Sequence, residues 1–219
     1  MRLIGVLLLV VVACHVDNVV APDATIDADG HPQPIGMFVT WSARPALPGP
    51  VSDKITVTEA NFWLEHLQLI SDAGADDRTT RSRYGISWDA ASQPSQEMFP
   101  AAPAAVYQRI LLDMRADVAP PYSYEIRGTV DVGGGGGGSG TNTKPFRIVD
   151  RLMLEIPISC SVSLAAGTSV AVGIRVDLRS ALGSINWRDA DDDHGTLVLT
   201  TQQILGLHSQ LEDAFELDD

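Results

Sequence analysis

Residues 158–178 alternate apolar and polar side chains almost without a break. Ile158, Cys160, Val162 and Leu164 fall on one parity with Ser159, Ser161 and Ser163 on the other. Val170, Val172, Ile174, Val176 and Leu178 then alternate with Ala171, Gly173, Arg175 and Asp177. A helix would scatter this pattern around its circumference, whereas a strand puts every second side chain on one face. The short, glycine-containing link 165–168 predicts that the two runs form a hairpin. The same period recurs at Tyr124, Ile126, Val130 and Val132, and on a face made by Val106, Ile110, Leu112 and Met114. Further strands are predicted over 37–41, 54–58, 62–70, 85–88, 146–156 and 196–200, with Pro157 breaking the long 146–164 stretch. Nine or ten strands, each with one polar side, predict an all-β domain over 35–200, an antiparallel β-sandwich. From 201 to 219 the period changes. Ile204, Leu207, Leu211 and Phe215 make one helical stripe, Thr201 stands at a capping position, and the acids after Glu212 oppose the helix dipole. A short C-terminal helix with a fraying acidic end is expected there, covering a sheet edge or one end of the sandwich.

The N-terminus follows a different logic. Met1-Arg2 is a short basic start, and residues 3–12 are ten apolar residues in a row. A bilayer span needs roughly 20, so this run suits the apolar core of an export signal. Val11-Val12-Ala13-Cys14 follows directly and resembles the bacterial lipobox. That resemblance implies removal of 1–13 and acylation of Cys14, which leaves no thiol there for a disulfide with Cys160. His15, where an Asp would resemble an inner-membrane retention signal, points to the outer membrane. Residues 14–34, with four aspartates and three prolines, read as an acidic tether too polar to order itself. The formal charge of -13, from 28 acids and 15 bases, argues against nucleic acid and against adhesion to anionic headgroups. Attachment to a membrane is therefore expected to be covalent, through Cys14.

Candidate chemistry is sparse. The glycine run 133–138 lacks the Gly-Lys-Ser/Thr ending of a phosphate loop and reads as a hairpin loop. Asp189, Asp191 and Asp193 have the 1, 3, 5 spacing of a calcium loop, but His194 and Thr200 stand where its Gly and Glu belong. Two readings stay open, a simpler calcium site in a connecting loop and a solvated acidic turn. His66 is placed on the face of Phe62, Leu64 and Ile70 as a half-buried hydrogen-bonded residue. The five histidines show no paired ligand spacing, and no Ser/His/Asp order stands out. Cys160 reads as a small buried hydrophobe, the 72–83 segment as a charged loop, and Trp41, Trp63 and Trp88 as core or rim packing rather than a ligand groove.

Pro103-Ala104-Ala105-Val106-Tyr107-Gln108-Arg109-Ile110, followed by a Gly167-led strand ending in Val176-Asp177-Leu178, resembles a family of bacterial lipoproteins with an Ig- or transthyretin-like β-sandwich domain. The resemblance spans about residues 35–200 and implies no catalytic residue. The expectation is a non-enzymatic binding or structural module at the cell envelope, without a cofactor, whose partner is an envelope protein or a glycan. Two alternatives stand beside it: an envelope protein binding calcium through Asp189, Asp191 and Asp193, and a hydrolase whose site is assembled from scattered residues.

Overall fold

Ile55, Val57, Ala60, Phe62, Leu64, Leu67 and Leu69 are all buried, and the gaps between them run two, three, two, two, three, two. A computed structural model, which describes residues 35–116, 120–133 and 142–218, shows why. The sequence suggests two strands here. One continuous 17-residue strand runs from Ile55 to Ser71, and its register slips between Val57 and Glu59 and again between Leu64 and His66. Each slip is a β-bulge, which adds a residue and exchanges the parity that faces the core.

The elements in chain order are β1 (Gly36–Ala43), β2 (Gly49–Pro50), β3 (Ile55–Ser71), β4 (Thr80–Trp88), β5 (Glu97–Phe99), β6 (Ala105–Met114), β7 (Tyr124–Asp131), β8 (Thr143–Asp150), β9 (Leu154–Leu164), β10 (Ser169–Val176), α1 (Arg179–Gly183), β11 (Asp191–Asp193), β12 (Thr196–Val198), α2 (Thr201–Glu212) and β13 (Phe215–Leu217). They form two sheets, one of four strands in the order β13-β10-β1-β5, the other of nine built around β3. Cys14, the export segment 1–13, the tether 14–34 and glycines 134–138 lie outside the described residues.

Residues 60–62 of β3 pair with both β4 and β7, and residues 64–68 pair with β4 and β6. So β4 lies along one edge of β3, while β7 and β6 share the other, end to end. The change of partner happens at Trp63. Its N–H donates to Ser123 O at 2.8 Å, and its carbonyl accepts from Arg115 N at 3.3 Å. The next layer repeats the arrangement, with β8 on β7 and β9 on β6. The sheet is thus interrupted along one line, where residues 115–116, 120–123 and 151–153 lie outside its strands. Ser123 stitches this line, its hydroxyl donating to the carbonyls of Asp150 and Leu152.

Both sheets contribute to one core. Met37 and Val39 of β1 and Val172, Ile174 and Val176 of β10 are buried together with Phe62, Tyr124 and Ile126 of the larger sheet. Close approach is required at Gly128, where a Cβ would lie 2.0 Å from Thr56 O and 2.8 Å from the Phe146 ring.

Several expectations are corrected. The sheets are mixed rather than wholly antiparallel, since β1 pairs with β10 and β8 with β12 in parallel. The 158–164 and 169–178 runs do not pair. β9 belongs to the large sheet and β10 to the small one, so the exposed residues 165–168 pass from one sheet to the other. Alternation reports which side of a strand is buried but not which neighbour it bonds. The 146–164 break falls at 151–153, and Pro157 sits inside β9, whose strand pairing is with β6 alone. An edge tolerates proline because one side of it needs no donor.

At the C-terminus the cap is Thr200, reciprocally bonded with Gln203, rather than Thr201. Phe215 leaves the helical stripe for β13, where its ring meets Phe62 edge-to-face at 5.2 Å. The acidic end does not stand alone: Glu216 and Asp218 both pair with Arg175 of β10. Leu207 and Leu211 of α2 are fully buried. Truncation before Thr201 is therefore expected to lower the melting temperature, and Leu211→Ala alone to cost about 2–5 kcal/mol in a denaturant titration.

Candidate functional site

The outward face of the large sheet is where polar side chains gather. On β3 it carries Glu59, Asn61 and Trp63, and then the second bulge intervenes. Opposite Met114 and Asp113, β3 has Leu64, Glu65 and His66, one residue more than the partner strand can match. In a regular strand Glu65 and His66 would point to opposite faces. The bulge brings both to the same side, and Asp113, the register partner of His66, joins them. One ligand-capable atom from each of the three lies within 4.8 Å of the other two. His66 Nδ1 is 3.4 Å from Asp113 Oδ2.

Two oxygens in this group are buried without a hydrogen bond: Glu65 Oε2 and Asp113 Oδ1. Arg115 Nε lies 2.8 Å from Glu65 Oε2, an ion-pair distance at which its N–H is not directed along a hydrogen bond. Arg115 also reaches Met153 Sδ at 3.1 Å, across the interruption in the sheet. A buried acceptor left without a partner costs about 1–3 kcal/mol. The expected placement of His66 is thus corrected. The bulge turns it away from Phe62 and Leu64, and Leu67 and Leu69 take the core side instead.

Beside this group the interruption opens a cleft of about 500 Å³, lined among others by Trp63, Glu65, Arg83, Gly85, Arg115 and Pro120. Trp63 forms an aromatic wall, held edge-on to Tyr122 with ring centroids 4.7 Å apart. Trp41 stacks on Tyr84 and donates to its hydroxyl, and Trp88 is in the core. Of the three tryptophans considered from sequence, Trp63 is the one that borders the cleft.

Further along the same face, Glu125 is a carboxylate whose requirements are met. Its side chain is 2% exposed and accepts from Arg127, Arg147 and the Tyr122 hydroxyl. Burial by itself would raise its pKa, but the hydrogen bonds from Arg147, Arg127 and Tyr122 outweigh that and hold it below the ordinary glutamate value. Glu59 extends the network to Arg127 and Asn61.

The acidic run, read either as a simple calcium site or as a solvated acidic turn, is a hairpin. Asp191, Asp192 and Asp193 form β11, which pairs with β12 through a two-residue turn, His194-Gly195, with φ of 52° and 89°. Two positive φ values are the signature of the tight turn that suits strand twist. Asp189 stands apart in a 3₁₀ turn, accepting from Asn186 Nδ2 at 2.6 Å and lining a separate cleft against α2. Asp192, at the even position, pairs with Lys144 Nζ at 2.6 Å and caps Gly195 N. Among the described residues, Glu65, His66 and Asp113 form a compact ligand group, whereas Asp189, Asp191 and Asp193 do not.

A second histidine–carboxylate pair joins His208 of α2 to Asp150 of β8, with the Tyr124 hydroxyl 3.5 Å from the same carboxylate oxygen. Burial first, and Asp150 second, push the Tyr124 hydroxyl well above its usual pKa. This pair ties α2 to the sheet. Among the described residues, no Ser, Thr or Cys is bonded to the other ring nitrogen of His66 or His208. Cys160 is half-buried against the core, and burial pushes its thiol up to about 11, the direction of an inert thiol. In the 72–83 segment, Asp76 caps a 3₁₀ turn and pairs with exposed Arg78.

Sequence reasoning missed Glu65, Asp113, Arg115 and Glu125. The one signal for the first two was the three-residue gap between Leu64 and Leu67, which marks a bulge. Because the pKa of Glu125 is depressed on folding, its contribution is present above the ordinary value near 4.3 and is lost as pH falls through the folded value. Glu125→Gln is expected to cost about 2 kcal/mol at neutral pH, with the difference from the parent narrowing below about pH 4, as read from urea titrations at both pH values. Compared with known proteins, the chain matches no family, no curated protein and no solved structure.

Proposed function

We propose that this chain is a lipid-anchored cell-envelope protein that binds a glycan rather than catalysing a reaction. Residues 1–13 act as the export signal, Cys14 carries the acyl chains, and residues 14–34 hold the body off the membrane. The body is read as an Ig- or transthyretin-like sandwich, supported by two sheets sharing one core. The observation that carries the binding reading is the cleft at the interruption of the large sheet. It combines a flat indole, Trp63, with a carboxylate and a guanidinium, Glu65 and Arg115, on a polar face. A sugar ring offers a C–H face to an indole and hydroxyl pairs to carboxylate and guanidinium forks.

The anchor is tested by fractionating cells that express the full chain. The parent is expected in the membrane fraction and labelled by radioactive palmitate, and Cys14→Ala in the soluble fraction without label; a Cys14→Ala protein that stays with the membranes defeats the anchor. Binding is tested on isolated cell-wall glycan, where Trp63→Ala is expected to weaken retention by about tenfold or more. Equal retention of parent and variant defeats the cleft as the binding site.

A further inference from the structure

We propose that Glu65, His66 and Asp113 form a binding site for a divalent transition-metal ion of the zinc type. This goes beyond the envelope reading, because it rests on three side chains of the body and holds whether or not the N-terminus is acylated.

The ligand set fits such an ion in chemistry and in spacing. One imidazole nitrogen and two carboxylate oxygens suit zinc and its first-row neighbours. Calcium and magnesium take oxygen ligands, and calcium six to eight of them. Ligands about 2.1 Å from a tetrahedral ion stand roughly 3.4 Å from one another. His66 Nδ1 and Asp113 Oδ2 are already 3.4 Å apart, a tetrahedral edge and longer than a good hydrogen bond. One ligand atom from each of Glu65, His66 and Asp113 lies within 4.8 Å of the other two.

A second observation points the same way. Asp113 Oδ1 is a buried acceptor with no hydrogen bond, and Glu65 Oε2, also without one, has the Arg115 guanidinium at ion-pair distance. Buried polar atoms are nearly always satisfied, and an orphan acceptor in an ionisable cluster is what a cation would satisfy. The backbone is also shaped for it. A bulge is the device by which neighbours in sequence are aimed at one point, and here it supplies two of the three ligands. Three protein ligands leave a coordination position for solvent or for a donor atom of a molecule in the cleft, whose wall shares Glu65.

Arg115 is the competing reading. Its guanidinium sits at ion-pair distance from Glu65 Oε2, which on that reading makes the cluster a salt bridge and nothing more. The two readings predict opposite effects. Arg115 is half exposed and able to swing into solvent. If an ion binds, removing Arg115 takes away a competing cation and tightens metal binding. If the cluster is a salt bridge alone, removing it weakens the fold and no metal binds.

The test uses the full chain, purified without a histidine tag and stripped with EDTA. Zn²⁺ is titrated against a chromophoric indicator, and Co²⁺ is followed by its visible absorption. One ion per chain is expected, with a tetrahedral cobalt spectrum. Affinity should fall at least about 100-fold in His66→Ala and in the nearly isosteric Asp113→Asn, and rise in Arg115→Gln. Melting curves in EDTA show whether each variant folds; if His66→Ala does not, Asp113→Asn carries the decision. No stoichiometric binding in the parent overturns the proposal. So does binding that survives Asp113→Asn unchanged, which would move the ion elsewhere, to the Asp191–Asp193 hairpin for instance.

Discussion

The register of β3 is the constraint on which the rest of the structure depends. A 17-residue strand is long for a sheet of this size, and a flat ladder of that length would twist away from the smaller sheet it packs against. The two bulges relieve this. Each resets which parity faces inward, so that Ile55 and Val57, then Ala60, Phe62 and Leu64, then Leu67 and Leu69 all reach one core. Partner strands stay paired across each slip: β7 continues past Val57 and Glu59, and β6 past Leu64 and His66. Because β3 is so long, β7 and β6 share one of its edges end to end with an excursion between them, and β8 and β9 follow suit.

The excursion is also what makes a concave place on an otherwise smooth face. Where β6 ends and β7 has not begun, Trp63 has backbone partners on both, through Arg115 and Ser123, and its ring turns outward beside Tyr122. The cleft therefore lies where two strands meet end to end along one long strand. β3 and β4 supply Trp63, Glu65 and Arg83, and the connection between β6 and β7 supplies Arg115 and Pro120.

How much of this the sequence discloses depends on the range of the interaction concerned. Alternation is local, so the strands of 158–178 and their buried residues could be read directly: Ile158, Val162, Leu164, Val172, Ile174, Val176 and Leu178 are all in the core. Pairing is not local, and nothing in 165–168 says whether the chain turns back within a sheet or crosses to the other. Phe215 fitted a helical stripe by spacing, yet the ring of Phe62 and the charge of Arg175 draw it into a strand, both from far away in sequence. The site was concealed for the same reason. Glu65 and His66 are adjacent, so strand periodicity assigns them to opposite faces, and Asp113 is 47 residues from His66. The Asp189–Asp193 run stood out because its members are close in sequence, but a strand and a tight turn spread its carboxylates apart.

Glu125 and the pair Glu65–Asp113 show how one sheet face can hold carboxylates for different ends. Both places are partly desolvated, and in both the backbone brings acids and arginines together. Around Glu125 every oxygen is answered, by two guanidiniums and a phenol, and that depresses its pKa and makes it a fixture of the fold. Around the bulge Glu65 Oε2 and Asp113 Oδ1 have no hydrogen bond; Arg115 stands at ion-pair distance from the first, while one of its terminal nitrogens donates to Met153 Sδ. A fold that can satisfy one buried carboxylate so fully a few residues away has no general difficulty in doing so. The unmet demand at Glu65 and Asp113 therefore belongs to the site itself, where a partner from outside the chain has something to gain.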